Sequence, residues 1–365
     1  MKNDHDRTQK SKALKFSVAN RWFPQYEVDV HSLSSIQESR DRITDIDTLA
    51  SVPDYFRGFR DVIFDCKTGK KESAVNRSLW LSGLMNKLGA SEGFCIFKKD
   101  RISQDYRLFA ESLNVVLLTE EDFDVYSKSM TGGEDQTYSN CGNIDLWEEY
   151  FEKTKNFPKL VASLTFARST YWMIEDAATA CRKVIAELIS VRPELNPTNK
   201  YHVCLFFHLA SLLARSLAKM TNQIFKSYLH PEDKGTLAVA LLHLLYGGKE
   251  SYDHRNELFK RAKGQTENTP DALTLPNWGK FVDLSRQCLD SPRSIQRTPL
   301  SLMEAGLGFL KDTPDWKFLE TLSSEDSHSS RFAMMLIGYL QQASKSPPEF
   351  SKICDQIFLP SLPVY

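Results

Sequence analysis

A chain of 365 residues, 41% hydrophobic and 25% charged, has ordinary globular composition and enough length for about two domains of roughly 150 residues. Its formal charge of -1 excludes a chain-wide basic field, so any nucleic-acid binding has to come from local patches. Seven scattered cysteines without a Cys-x-x-Cys pair argue against a disulfide framework or a zinc ribbon and fit reduced thiols. The polar start, MKNDHDRTQKSKALKF, lacks the apolar stretch of a signal peptide. Runs such as TLAVALLHLLYGG fall short of the roughly 20 apolar residues that cross a bilayer. A cytoplasmic location, with no membrane partner, is expected.

From about Thr8 to Trp22 the apolar positions Ala13, Leu14, Phe16 and Val18 have helical spacing, and QYEVDVHSL then alternates as a strand. RITDIDTLAS and RDVIFDCKTG predict two more strands around a turn carrying Pro53 and Gly58, which makes a meander with the first. Residues 72–88 predict a helix stopped by Gly89, followed by the strand GFCIFKK, the helix QDYRLFAESLN and a last strand VVLLTEEDF. Residues 1–128 thus form a mixed α/β domain. The polar, aperiodic stretch 129–143 predicts a linker, and 144–365 an all-α helical domain whose later helices break at Pro270, Pro276, Pro292 and Pro299.

The chemistry-bearing pattern lies in the two middle strands. In DVIFDCK, side chains alternate faces, so Ile63, Asp65 and Lys67 share one side and Val62, Phe64 and Cys66 the other, one side core and the other chemical. A carboxylate and an ammonium at the end of an apolar strand are costly to bury unless paired with each other or with an ion. Asp47, placed at the end of the preceding strand, completes an Asp…Asp-x-Lys set. Two carboxylates, the backbone carbonyl of Cys66 and waters suit Mg²⁺, with Mn²⁺ as a substitute. Lys67 would orient an attacking water and offset charge developing on a phosphate. An exposed ion pair worth about 0–1 kcal/mol would leave the same residues in the sequence. Lys70, Lys71, Lys98, Lys99 and Arg101 follow two strands expected to end near one another and are candidates for phosphate-backbone contacts.

Carried by ITDIDTL and VIFDCK, the region from Ala13 to Phe123 resembles the PD-(D/E)XK restriction-endonuclease-like superfamily, most of all its Mrr-type and Holliday-junction-resolvase-type branches. The resemblance implies a mixed sheet flanked by helices, and Asp47, Asp65 and Lys67 as the catalytic set of a Mg²⁺-dependent nuclease. Its substrate would be nucleic acid, DNA in preference to RNA, in a prokaryotic restriction or anti-phage setting. Asp65 stands where glutamate is more frequent, and Asn76 and Arg77 stand where many members carry glutamine or a basic residue. Glu27 is the candidate upstream acid, and Asp45 shares the strand face of Asp47 and competes as a ligand.

The helical half offers no comparable site. His202 and His208, six apart, do not stack as i, i+4 ligands and are expected in the core or an interface. SYDHRNELFKRAKG resembles the arginine-asparagine helix of HEPN-type domains, but Lys260 stands where their catalytic histidine would be, so no RNase activity is expected there. The helical domain is expected to recognise a target, an activator or a protein partner, and two cuts on a duplex would favour a homodimer. The competing expectation is a catalytically inactive nuclease-like fold that binds nucleic acid or protein within a larger complex.

Overall fold

The structure, a computed structural model, describes residues 6–31, 41–69, 73–98, 101–132, 138–231, 233–264 and 273–360. Helix α1 (Arg7–Ala19) leads into three antiparallel strands, β1 (Phe23–His31), β2 (Arg42–Asp54) and β3 (Gly58–Lys67). Helix α2 (Ala74–Leu88) then carries the chain back so that β4 (Glu92–Phe97) lies parallel to β3, and α3 (Gln104–Glu111) does the same for β5 (Val115–Thr119). The sheet order is β1-β2-β3-β4-β5. Ser73 caps α2 by accepting the Asn76 N–H, and Gly89, at φ +67°, ends it in the left-handed conformation that glycine adopts without a Cβ penalty.

The last strand stops earlier than its apolar run suggests. Thr119 and Asp122 form a reciprocal capping box, each side chain taking the other's backbone N–H, so the chain turns at once into α4 (Glu120–Thr131). The cue lies in TEED, the tail of the expected strand, whose threonine and aspartate stand three apart as a capping box requires.

Helices cover both faces of the sheet, as parallel crossovers require. Val62, Phe64 and Cys66 pack against Ala13 and Phe16 of α1 and Phe123 of α4, with Phe64 stacked 5.0 Å from Phe94. The opposite face of β3 is not an open chemical surface. Ile63 is fully buried there, and Asp65 beside it is only 3% exposed. Charged groups on that face are therefore held by ion pairs beneath helices.

The remaining helices are α5 (Ile144–Thr154), α6 (Pro158–Arg168), α7 (Ala177–Val191), α8 (Lys200–Tyr228), α9 (Lys234–Tyr246), α10 (Lys249–Ala262), α11 (Trp278–Asp290), α12 (Pro292–Gly308), α13 (Lys317–Glu325), α14 (Ser327–Ser344) and α15 (Glu349–Phe358). Helix α8 is central, touching β3 as well as α7, α12 and α14. Its 29 residues are long and apolar enough to cross a membrane by length and composition, longer than any apolar run noted in the sequence. Of its most apolar window, however, 94% is buried inside the fold, as in a core helix. Pro299 does not break α12, which runs through it. Further along, the helix lies so close to α8 that a Cβ on Gly306 would come within 2.9 Å of the Phe207 Cβ.

The largest apolar cluster runs from Leu14 and Val28 to Phe358, joining sheet and helices in one continuous core. Two polar contacts reinforce the junction. The stretch expected as a linker is helical through Thr131, and Ser139–Cys141 are buried on Glu304 of α12. That carboxylate accepts the N–H groups of Asn140 (2.7 Å) and Cys141 (2.8 Å) and the Ser139 hydroxyl (3.0 Å). His208 lies with Nε2 2.9 Å from Gln25 Oε1 of β1 and Nδ1 3.3 Å from the Tyr150 hydroxyl. Burial pushes its pKa down to about 3, so it is a neutral core histidine.

Candidate functional site

Because β2 and β3 run antiparallel, with Thr48 opposite Phe64, the start of β2 lies beside the end of β3. This pairing brings Asp47 to Asp65 and Lys67. The Lys67 Nζ lies 3.1 Å from Asp65 Oδ1 and 3.7 Å from Asp47 Oδ2, and the Cys66 backbone N–H donates to Asp47 Oδ2 at 2.7 Å. The Asp…Asp-x-Lys set therefore converges. Both carboxylates are buried, Asp47 at 6% and Asp65 at 3% exposed.

Two further cations enter from the flanking helices. Lys10 of α1 is 5% exposed and reaches Asp47 Oδ1 at 3.3 Å and Glu27 Oε1 at 3.1 Å. Arg77 of α2 makes a two-pronged contact with Asp65, Nε donating to Oδ2 at 2.8 Å and Nη2 to Oδ1. Its guanidinium is braced 3.8 Å from the Trp80 ring centroid. Of the auxiliary candidates, then, Arg77 is in the site but as a partner of Asp65, while Asn76 faces solvent. Glu27 is drawn in through Lys10. It departs from strand geometry at φ +45°, between the paired residues Tyr26 and Val28, a conformation that costs about 1–3 kcal/mol and clusters at functional sites. Asp45 is exposed and faces Asp29 in the register, and among the described residues no ion pair joins it to the cluster.

Lys10 and Arg168 are the site residues that sequence reasoning missed. Arg168, at the end of α6, lies 3.5 Å from both Glu27 Oε2 and Asp29 Oδ2. Of the basic candidates, Lys98 is exposed and tied to the site by its N–H, which donates to the Lys67 carbonyl at 2.9 Å. Arg101 is exposed before α3, and Lys70, Lys71 and Lys99 lie outside the described residues.

The electrostatics follow from burial and charge count. Burial pushes Asp47 up to about 6, against the pull of Lys67 and Lys10 and with added repulsion from Asp65. Burial opposes the charge on Lys67, but Asp47 and Asp65 outweigh it and hold its pKa above the ordinary lysine value. A lysine so held is a proton-bearing electrostatic group at neutral pH and not a base.

The donor set fits a hard divalent cation in kind. Mg²⁺ is commonly held by one or two carboxylates, with water and substrate phosphate completing its shell. Among the described residues no three acidic, histidine or cysteine side chains form a fuller cage. Both oxygens of each aspartate already face an N–H donor or a cation, so an ion entering between them competes with Arg77 and Lys10 for the carboxylate lone pairs. Comparison with protein-family models, curated proteins and solved structures returns no match.

Proposed function

We propose that the chain is a metal-dependent nuclease that hydrolyses nucleic-acid phosphodiesters, DNA in preference to RNA, on a restriction-endonuclease-like sheet. The supporting observation is the convergence of Asp47, Asp65 and Lys67 at one end of β2 and β3, with exposed Lys98 beside them. Mg²⁺ or Mn²⁺, when bound by Asp47, Asp65 and the intervening Cys66 carbonyl, would supply Lewis acidity toward the phosphate. Lys67, held protonated, offsets negative charge gathering on the phosphate in the transition state. The helical half, fused to the sheet by one core, serves target or partner recognition.

A second reading rests on Arg77 and Lys10. With both acids matched by protein cations, the cluster would be a sealed ion-pair network in a fold that binds without cutting. The purified chain incubated with single- and double-stranded DNA and with RNA, in Mg²⁺ or Mn²⁺, separates the two. The nuclease reading expects cleavage that Asp65→Ala and Lys67→Ala each reduce by about 10²–10³-fold, with unchanged circular dichroism. Metal-dependent cleavage retained in both variants overturns it. Metal-independent binding without cleavage favours the second reading.

A further inference from the structure

At the opposite end of β3 a cavity of about 380 Å³ opens between the β2–β3 turn, the end of α2 and α8. Its wall carries five basic side chains, Arg57, Arg60, Lys87, Arg215 and Lys219, against two acidic ones, Asp61 and Glu175. Asp61 is already committed. Arg215 Nη2 donates to both its oxygens at 2.8 and 2.6 Å, and the Ser51 hydroxyl donates at 2.6 Å. Arg60 is matched by Asp54 at 3.4 Å. Lys219 meets Asp61 only at 3.8 Å, and the exposed Arg57 and Lys87 have no ion pair among the described residues.

The cavity thus carries surplus positive charge in a concave, partly apolar wall that includes Phe59 and Trp172. Such a wall focuses the field on its contents. Burial and the neighbouring Arg215 pull Lys219 down to about 8 despite Asp61, as expected where protein carboxylates leave cations under-compensated. The turn that frames the mouth is fixed against α8, because a Cβ on Gly58, at φ +81°, would come within 2.9 Å of the Lys219 Cα.

We propose that this cavity binds a small phosphorylated molecule of about nucleotide size, its phosphates meeting Lys219, Arg57 and Lys87. Phosphate oxygens accept charge-assisted hydrogen bonds from lysine and arginine, and the volume falls within the range of small-molecule sites. The site shares no side chain with the Asp47 cluster, so it stands or falls apart from the nuclease reading.

Titration calorimetry of the full chain at low salt, with pyrophosphate and with ADP as probes, tests it. Binding is expected, weakened at least tenfold by Lys219→Gln and by the exposed pair Arg57→Ala/Lys87→Ala, and unchanged in Asp65→Ala. The exposed pair decides the matter if Lys219→Gln unfolds. Absence of binding for both probes at about 1 mM overturns the proposal. So does binding that survives loss of Arg57 and Lys87, or binding that disappears in Asp65→Ala alone.

Discussion

Asp61 and Asp65 sit four residues apart on one face of β3, each beneath a helix that offers an arginine, yet their surroundings differ in kind. At Asp61 burial raises the pKa, but Arg215 and Lys219 outweigh it and hold the carboxyl down to about 2. At the other end two carboxylates share one ammonium, and Asp47 is pushed up to about 6. The first acid is fully compensated and fastens the sheet to α8. The second pair is compensated only by borrowing Lys10 and Arg77 from other helices. A buried carboxylate alone therefore does not distinguish the two ends; Asp61 is met by cations of a single helix, whereas Asp47 and Asp65 draw theirs from β3, α1 and α2.

Asp61 depends most on Arg215. Arg215→Ala leaves Asp61 buried without its main partner and should cost about 3–5 kcal/mol in denaturant unfolding. Replacing both partners, Arg215→Met with Asp61→Leu, should recover much of that loss. The pH dependence has the sign of a depressed acid: Asp61 contributes stability above its ordinary pKa of 3.8, and this is lost as pH falls toward about 2. A double variant no more stable than Arg215→Ala would show that the pair is not the main fastening.

The contrast explains what the sequence could disclose. Alternation in DVIFDCK put Asp65 and Lys67 on one face, and an antiparallel meander from ITDID to VIFDC was enough to bring Asp47 alongside. Asp61 lies on the same face by the same parity, but its partner comes 154 residues later, inside an apolar helix, at a separation no local period reports. Lys10 carried a faint signal, since it falls on the buried stripe with Ala13, Leu14 and Ser17. A lysine near the start of a helix ordinarily reads as solvated, however, and only the acids on β1 and β2 make its burial affordable. The positive φ of Glu27 left no trace, because glutamate is not a residue that announces the left-handed region.

At the second pair of acids, Arg77 carries much of the borrowed charge. Its two-pronged contact occupies both oxygens of Asp65, and a hydrogen bond to a charged group is worth about 1.5–3 kcal/mol. Arg77→Met keeps the side-chain length over Trp80 and frees the carboxylate. Mn²⁺ affinity should then rise by roughly tenfold or more, read by calorimetry. An unchanged affinity would mean that Asp65 takes no part in metal binding and would favour the sealed-network reading.

The smallest effect is one of pH. On the nuclease reading, proton and metal would compete for the Asp47 oxygens, so with metal below saturation cleavage should fall about tenfold between pH 7 and pH 5, as Asp47 protonates through about 6. The stability contribution of the same group runs the other way. A folded-state pKa raised above 3.8 means that the native chain holds this proton more tightly than the unfolded chain between pH 3.8 and about 6, so Asp47 itself favours folding as pH falls through that window. Lost cleavage with tryptophan fluorescence unchanged at pH 5 therefore assigns the loss to the site. A cleavage rate that is flat from pH 5 to pH 7 would place the working carboxylate elsewhere than Asp47.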